Sequence, residues 1–219
     1  MSDPKNLCGG TFGAVYDFYI EREPLARLVG RTVWGIDVSA MYASMAAITQ
    51  LPDGATVIDV PCGGGVAFRA LRAEQQVRYI AVDLSEEMLD RARRRAASRR
   101  LSQIETVAAD MCALPLADET ADLCLSYSGL HALPDPEAAV REMARCLKPA
   151  GQLVGSMFLL DGSRRQRFLI SRGQQRGEFG LCGTNADLKR WLQNAGFAEA
   201  TIDTDSGFAV FHARKDHHG

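Results

Sequence analysis

The sequence predicts an α/β fold: a mostly parallel seven-stranded sheet between two layers of helices, with a further helical layer at the N-terminus. Three observations predict it. Between Thr56 and Met157, five apolar runs rich in β-branched residues alternate with helical stretches, the pattern of a parallel sheet with crossover connections. The first run ends in Gly63, Gly64 and Gly65 and leads into a stretch without helix breakers, a strand–turn–helix unit. Two last runs, near Glu199 to Asp203 and Gly207 to Ala213, are joined by a tight turn around Asp205, Ser206 and Gly207, which makes them an antiparallel pair.

Composition narrows the function. A chain of 219 residues accommodates one α/β domain with a full core and is short for two. The net charge of −2 gives no global attraction to nucleic acid or to a membrane surface, so the expected partner is a small molecule. No apolar run approaches the roughly 20 residues of a membrane-spanning helix, and no charged-then-apolar leader opens the sequence. A cytoplasmic location is the expectation. Cys8, Cys62, Cys112, Cys124, Cys146 and Cys182 form no C-x-x-C pair, which argues for reduced thiols and against a metal site or disulfide framework.

In chain order, residues 1–10 are polar, and Val15, Phe18 and Tyr19 then share one helical face with Tyr16 beside it. Pro24 starts a second short helix through Leu28, and a third, capped by Asp37 or Ser39, runs through Met41, Met45 and Ile48. Residues 1–50 are thus read as a helical cap on a core unit of residues 51–219. Its aromatics either pack this layer on the sheet or, as a lid, bring Tyr16 and Tyr19 onto a ligand.

Val57, Ile58 and Val60 make the first strand, and a helix is expected from Val66 onward. Val77 to Val82 is the second strand, ending at Asp83; Ser85 caps a helix whose Met88, Leu89, Ala92 and Ala96 form an apolar stripe. The arginines of that helix read as a solvated outer face rather than a nucleic-acid surface. Ile104 to Ala109 is the third strand, leading to Asp110 and Met111, and Ala121 to Ser126 is the fourth. Asp135 and Pro136 open a helix with Val140, Met143, Ala144 and Leu147 on its buried face, and Lys148-Pro149 ends it before a strand from Gly151 to Met157.

Residues 161–183 interrupt the alternation with Arg164, Arg165, Arg167, Arg172 and Arg176, followed by three glycines. Either this is a solvated helix and loop, or it covers an acceptor pocket and favours an anionic substrate. Thr184 caps a last helix with Leu188, Trp191, Leu192 and Ala195 on one face and Gly196 beyond its end. His217 and His218 stand in a polar tail, where disorder is a simpler reading than a weak metal pair.

The glycine turn is where function is legible. A strand meeting a helix through glycines leaves backbone N–H groups free and lets a ligand approach the chain closely. Gly63 and Gly65 fit a dinucleotide turn, but Phe68 takes the place of its third glycine, and no Gly-Lys-Ser/Thr sequence supports a phosphate loop. Asp83, at the end of the second strand, stands where an acid accepts both hydrogen bonds of a ribose diol. Asp59, Asp83 and Asp110 close three consecutive strands and so lie along one edge of the sheet, where open α/β folds bind ligands.

Asp59-Val-Pro61-Cys62-Gly63-Gly-Gly65, the stretch around Asp110-Met111, and Leu147-Lys-Pro-Ala-Gly-Gln-Leu-Val-Gly-Ser156 resemble the motifs of class I S-adenosylmethionine-dependent methyltransferases. The similarity covers about residues 40–213 and is closest to the ubiquinone and menaquinone C-methyltransferase branch. It implies a Rossmann-like three-layer sandwich with strand order 3-2-1-4-5-7-6 and the seventh strand antiparallel. It also implies S-adenosyl-L-methionine as cofactor, with S-adenosyl-L-homocysteine as product, and methyl transfer to a small-molecule acceptor. By resemblance, Asp59 faces the cofactor's ammonium group and Pro61, Cys62, Gly63 and Gly65 pass beneath its carboxylate and ribose. Asp83 falls at the ribose and Asp110 and Met111 at the adenine, and Leu84, Met88, Ala109, Ser126 and Tyr127 are further cofactor-binding positions. Pro61 departs from the family, which often has glycine there.

The loop after the fourth strand is where an acceptor would approach, and His131 stands in it. By type and position it is the candidate base, against the alternative of a structural hydrogen bond. A non-catalytic adenosyl-cofactor binder stays open, as does an NAD(P)-dependent oxidoreductase, although Phe68 and the terminal hairpin count against the latter. An RNA methyltransferase lacks support, since Tyr127 to Leu130 does not match the acceptor motif of that group. Oligomeric state is open.

Overall fold

A computed structural model of the protein describes residues 18–216. The order of elements follows the alternation read from the sequence. Five parallel strands, β1 (Thr56–Asp59), β2 (Arg78–Asp83), β3 (Ile104–Ala108), β4 (Ala121–Tyr127) and β5 (Leu147–Phe158), are joined by β6 (Phe197–Asp205) and β7 (Phe208–Lys215). The seven make one sheet in the order β3-β2-β1-β4-β5-β7-β6, with β7 antiparallel to both neighbours. That is the expected topology. A two-residue turn with positive φ at Ser206 (49°) and Gly207 (84°) closes the hairpin, the backbone that matches the twist of antiparallel strands.

Strand faces divide the core in two. Val57, Tyr79, Leu123, Leu125 and Val154 point to one side, and Ile58, Ile80, Cys124, Leu153 and Phe211 to the other, as the two-residue period requires. The first face is covered by α1 (Glu23–Val29), α2 (Ser39–Ser44) and α3 (Glu86–Ser98); the second by α4 (Pro136–Cys146) and α6 (Asn185–Asn194). Between β5 and α6 lies α5 (Arg164–Gln175).

The caps are those the residue types favour. Ser85 accepts from Met88 N–H, Asp135 from Ala138 N–H, and Thr184 exchanges bonds with Asp187 in a capping box. The helix α2 departs from this: its N-cap is Val38, without a side-chain cap, and Asp37 just before it accepts the Ser39 hydroxyl and, at 2.8 Å, the Ser39 amide, bonds that together with Arg31 hold its carboxyl well below the usual range.

Four stretches differ from the sequence reading. After Gly65 the chain makes only a 3₁₀ turn, Val66–Ala70, with Phe68 N–H bonded to Gly65 O and Leu71 N–H to Phe68 O. Phe68 explains this: its ring lies under Gly65 and against the edge of Tyr79, 5.4 Å away between centroids, so the chain tightens around it. The helix expected to run through Ile48 changes at Met45 to a 3₁₀ segment, Met45–Gln50, and α1 continues into a π-helical turn, Gly30–Trp34. The helix expected to reach Leu147 ends at Cys146, because Leu147 already pairs with Ala121 in the sheet. Among the described residues no helix is long and apolar enough to cross a membrane.

Candidate functional site

β1 and β2 bring two carboxylates to the same face of the sheet. Asp83 is 2 % exposed and accepts two backbone bonds at 2.9 Å, from Gly63 N–H through one oxygen and Ser85 N–H through the other. One side chain thus ties the glycine turn to the start of α3. Cys62 N–H adds a 2.8 Å bond to Val82 O, and Gly63 and Gly65 take positive φ. At Gly65 the requirement is strict, since a Cβ there would lie 2.4 Å from the Phe68 ring.

Asp59 is equally buried, and the Tyr79 hydroxyl donates to it at 2.8 Å. Burial pushes its carboxyl up to about 7; the Tyr79 bond opposes that shift and the Asp83 charge adds to it. Tyr79 sits two residues before Ala81, the partner of Asp59, and therefore on the same face as that carboxylate, because Val57 pairs Tyr79 and Asp59 pairs Ala81. Sequence reading missed Tyr79. The available signal was its two-residue alternation with Ala81 and Asp83, which puts a tyrosine on the same face as two acids.

At the next strand end Ala109 N–H bonds to Asp83 O, and the exposed Asp110 accepts Cys112 N–H at 2.8 Å. Met111 is buried, whereas Leu84 keeps 38 % of its surface exposed beside Asp83. Met88 is buried in the first turn of α3. Ser126, at the end of β4, is buried with no bond to its hydroxyl.

Tyr127 follows, its hydroxyl 3.0 Å from Ser44 Oγ, which links β4 to the N-terminal layer. That layer is also fastened to the glycine turn. Arg69 bonds Glu23 at 2.9 Å and Glu21 O at 2.8 Å, and Arg95 pairs with Glu21 while reaching Gly65 O. Pro61 abuts Gly129, where a Cβ would come 2.1 Å from the proline Cδ, so the turn after β1 and the loop after β4 are in direct contact.

His131 is buried among aromatic rings. It stacks on Phe179 at 5.0 Å, meets Phe158 edge-on at 5.2 Å, and accepts the Phe158 N–H through Nδ1 at 3.2 Å. That bond leaves the ring proton on Nε2, and burial lowers the imidazole pKa to about 3.

Beside it, between α1, the π-helical turn and the ends of β4 and β5, lies a small, mostly apolar recess of about 20 Å³, room for about one water molecule. Tyr19, Trp34, Met41, Ser128, Phe158 and Phe208 are among its walls. Trp34, Ser128 and Phe158 were not singled out from the sequence. They come from three separate segments, and only folding assembles them. The α5 arginines face elsewhere: Arg165 bonds Thr32 O and Arg167 bonds Gly162 O, and Arg164, Arg172 and Arg176 are exposed. Tyr16, Cys8, His217 and His218 lie outside the described residues.

Comparison with known proteins agrees with this geometry. Residues 58–155 match the family described as methyltransferase domain. The demethylmenaquinone methyltransferase of Bacillus licheniformis is 37 % identical over 109 residues, 49 % of this chain and 46 % of that protein. The matched stretch therefore spans about half the length of that relative. Among solved structures, a putative methyltransferase from Bacillus halodurans superimposes with a TM-score of 0.68 at 21 % identity, covering 81 % of this chain and 100 % of the other. A Haemonchus contortus phosphoethanolamine N-methyltransferase, in complex with phosphomonomethylethanolamine and S-adenosylhomocysteine, reaches 0.70 at 15 % identity over 95 % of this chain and 61 % of that one. At these identities the structures show the shared fold.

Proposed function

Because the chain belongs to the class I S-adenosylmethionine-dependent methyltransferases, we propose that it transfers the methyl group of S-adenosyl-L-methionine to a small-molecule acceptor. The observation that carries this reading is Asp83: its carboxylate holds the Gly63 amide and the α3 start together, at the strand end where α/β folds take a ribose.

The residues present fit an adenosyl cofactor. An exposed apolar Leu84 beside a buried acid, with the exposed Asp110 carboxylate at the next strand end, suits the apolar face and exocyclic amine of an adenine. Positive φ at Gly63 and Gly65 keeps side chains away from the turn that would underlie the ribose and carboxylate. Asp59 supplies the negative charge for an ammonium group, and Tyr79 orients it. The cofactor, when bound, contributes a sulfonium methyl that is already reactive, so the protein's task is alignment and exclusion of water.

Ser126 and Tyr127 bring the end of β4 to the reacting region, and Ser44 and Tyr19 close over it from the N-terminal layer, which acts as the cap. We assign His131 a positioning role: a neutral ring that braces Phe158 and Phe179 holds the acceptor wall, and a pKa of about 3 makes it a poor base near neutrality. Arg165 and Arg167 bond backbone oxygens and the other α5 arginines are exposed, which supports the solvated helix over the alternative of an anionic acceptor.

Calorimetric titration with S-adenosylhomocysteine, NADH and NADPH tests the reading. Micromolar S-adenosylhomocysteine affinity, lost at least tenfold in Asp83→Asn, is expected. Nicotinamide binding without adenosyl-cofactor binding would overturn it.

A further inference from the structure

The helix α5 presents two unlike faces. Gln166, Ile170 and Gly173 form its buried stripe, as the helical period requires of residues three and four apart. On the opposite side Arg164, Phe168 and Arg172, spaced four apart, form an exposed stripe with Phe168 at its centre, 64 % exposed. An aromatic ring left in water between two guanidinium groups adds nothing to the core, and covering it would gain free energy.

Apolar surface continues on both flanks of the helix. Arg165 donates to Thr32 O at 2.7 Å and the Thr32 hydroxyl to Leu28 O at 2.7 Å, so α5 lies along the π-helical turn, where Leu28 and Val33 are exposed. On the other flank Gln174 Nε2 bonds Gly180 O at 2.8 Å, next to the exposed Leu181. Single exposed apolar residues are ordinary, whereas several grouped around one helix mark an interaction surface.

The same surface is positive. Arg164, Arg165, Arg167, Arg172 and Arg176 lie on α5 and its C-cap, and no acid stands between Asp161 and Glu178. The acids at its borders are engaged: Asp161 accepts Asn185 N–H, Asp37 pairs with Arg31, and Glu178 lies 3.8 Å from Arg176. Arg165 and Arg167 give bonds to backbone oxygens and keep their charge, and Arg164 and Arg172 have no ion-pair partner among the described residues. The net charge of −2 for the whole chain thus conceals a local basic face.

Apolar groups and cations together select the occupant. Guanidinium groups accept phosphate from any polyanion, but Leu28, Val33 and Leu181 offer no ring for a base to stack on, so a nucleic acid would leave them in water. Two copies meeting through this face would set their arginines against one another. An anionic bilayer satisfies both kinds of group, with headgroups for the cations and the acyl boundary for the apolar side chains.

We propose that the outer face of α5, with Leu28 and Val33 beside it, docks the protein on the surface of a bilayer containing anionic lipids. Phe168 enters the headgroup–acyl boundary, and Arg164, Arg165 and Arg172 meet the lipid phosphates. No described helix is long and apolar enough to cross a membrane, so the contact is a surface one. It stands independently of methyl transfer.

The test is co-sedimentation of the full chain with vesicles of phosphatidylcholine alone and of phosphatidylcholine with about 30 mol % phosphatidylglycerol. Binding to the anionic vesicles should be about tenfold tighter or more, and should weaken as salt screens the arginines. Arg164→Gln with Arg172→Gln should remove most of that preference, whereas Arg72→Gln with Arg94→Gln, an equal loss of charge at exposed positions elsewhere, should leave it in place. Phe168→Ser should weaken binding about fivefold. Phe168→Trp should bind like the native protein and show a blue-shifted emission on anionic vesicles alone. All these side chains are exposed, so the variants should melt at the native temperature and keep their S-adenosylhomocysteine affinity. Equal or absent binding to the two vesicles, retention of binding in the Arg164 and Arg172 variant, equal loss in the control variant, or an unmoved emission at position 168 would overturn the proposal. Binding to heparin or duplex DNA without binding to vesicles, or self-association through this face in their place, would overturn it as well.

Discussion

The Tyr79 hydroxyl donates to the buried carboxylate of Asp59 across 2.8 Å, and nothing nearby offers that carboxylate a positive charge among its described interactions. Burial therefore holds Asp59 protonated to about pH 7. A bound ammonium group would favour the ionised form instead, which couples cofactor binding to proton release.

At pH 6, S-adenosylhomocysteine binding should release close to one proton per site. The heat of binding, compared in buffers of different ionisation enthalpy, reads this directly. Asp59→Asn should abolish the release and lower affinity about tenfold. Binding without proton release in the wild type would show that Asp59 does not answer the ammonium.

The same shift sets a pH dependence of stability. Its folded-state value is raised above 3.8, so the folded protein prefers the protonated carboxyl. The resulting stabilisation is complete below pH ~4 and is lost as pH rises through about 7. In the cofactor-free protein, Asp59→Asn should therefore stabilise at pH 8 by on the order of 2–4 kcal/mol and show little of that gain at pH 4. Denaturant unfolding at the two values checks it.

Tyr79→Phe removes the bond that opposes the rise. Asp59 should then hold its proton to higher pH, and the pH midpoint of S-adenosylhomocysteine affinity should move upward. Stability should fall by about 1–2 kcal/mol at low pH, where the carboxyl is protonated in both proteins. An unmoved midpoint would mean the hydroxyl only fills space.

Gly129→Ala puts a Cβ 2.1 Å from Pro61 Cδ, so one of the two loops must shift. Overpacking of this kind costs about 1–3 kcal/mol. The melting temperature should drop by about 2–4 °C per kcal/mol lost. Because Pro61 belongs to the glycine turn, S-adenosylhomocysteine affinity should fall with it. A loss of stability with unchanged affinity would uncouple the two loops.

His131 should stay neutral in the folded protein. Its value is depressed from 6.5 to about 3 by burial, so its contribution to stability is present above pH ~6.5 and is lost as pH falls toward 3. Its ring resonances should remain constant between pH 8 and 5 in a proton NMR titration. Methyl transfer should show no ionisation assignable to it in that range. A titration near pH 6 to 7 that vanishes in His131→Gln would return it to the role of base.

The sequence by itself determined the sheet and the acidic edge at its strand ends. Strand runs, caps such as Ser85 and Thr184, the Gly63–Gly65 turn and the acids Asp59, Asp83 and Asp110 are local signals, set by backbone sterics, hydrogen-bonding type and a period of two or 3.6. The tertiary structure decided the rest. Phe68 shortened the expected helix to a 3₁₀ turn because its ring found space beneath Gly65 and beside Tyr79. Tyr79 became the partner of Asp59 through the register of β1 on β2. The recess drew Trp34, Ser128 and Phe158 from separate segments, and His131 lost its basicity to the rings around it. Burial and contact between distant segments appear only when the chain closes on itself, whereas propensity and pattern are carried by each stretch alone.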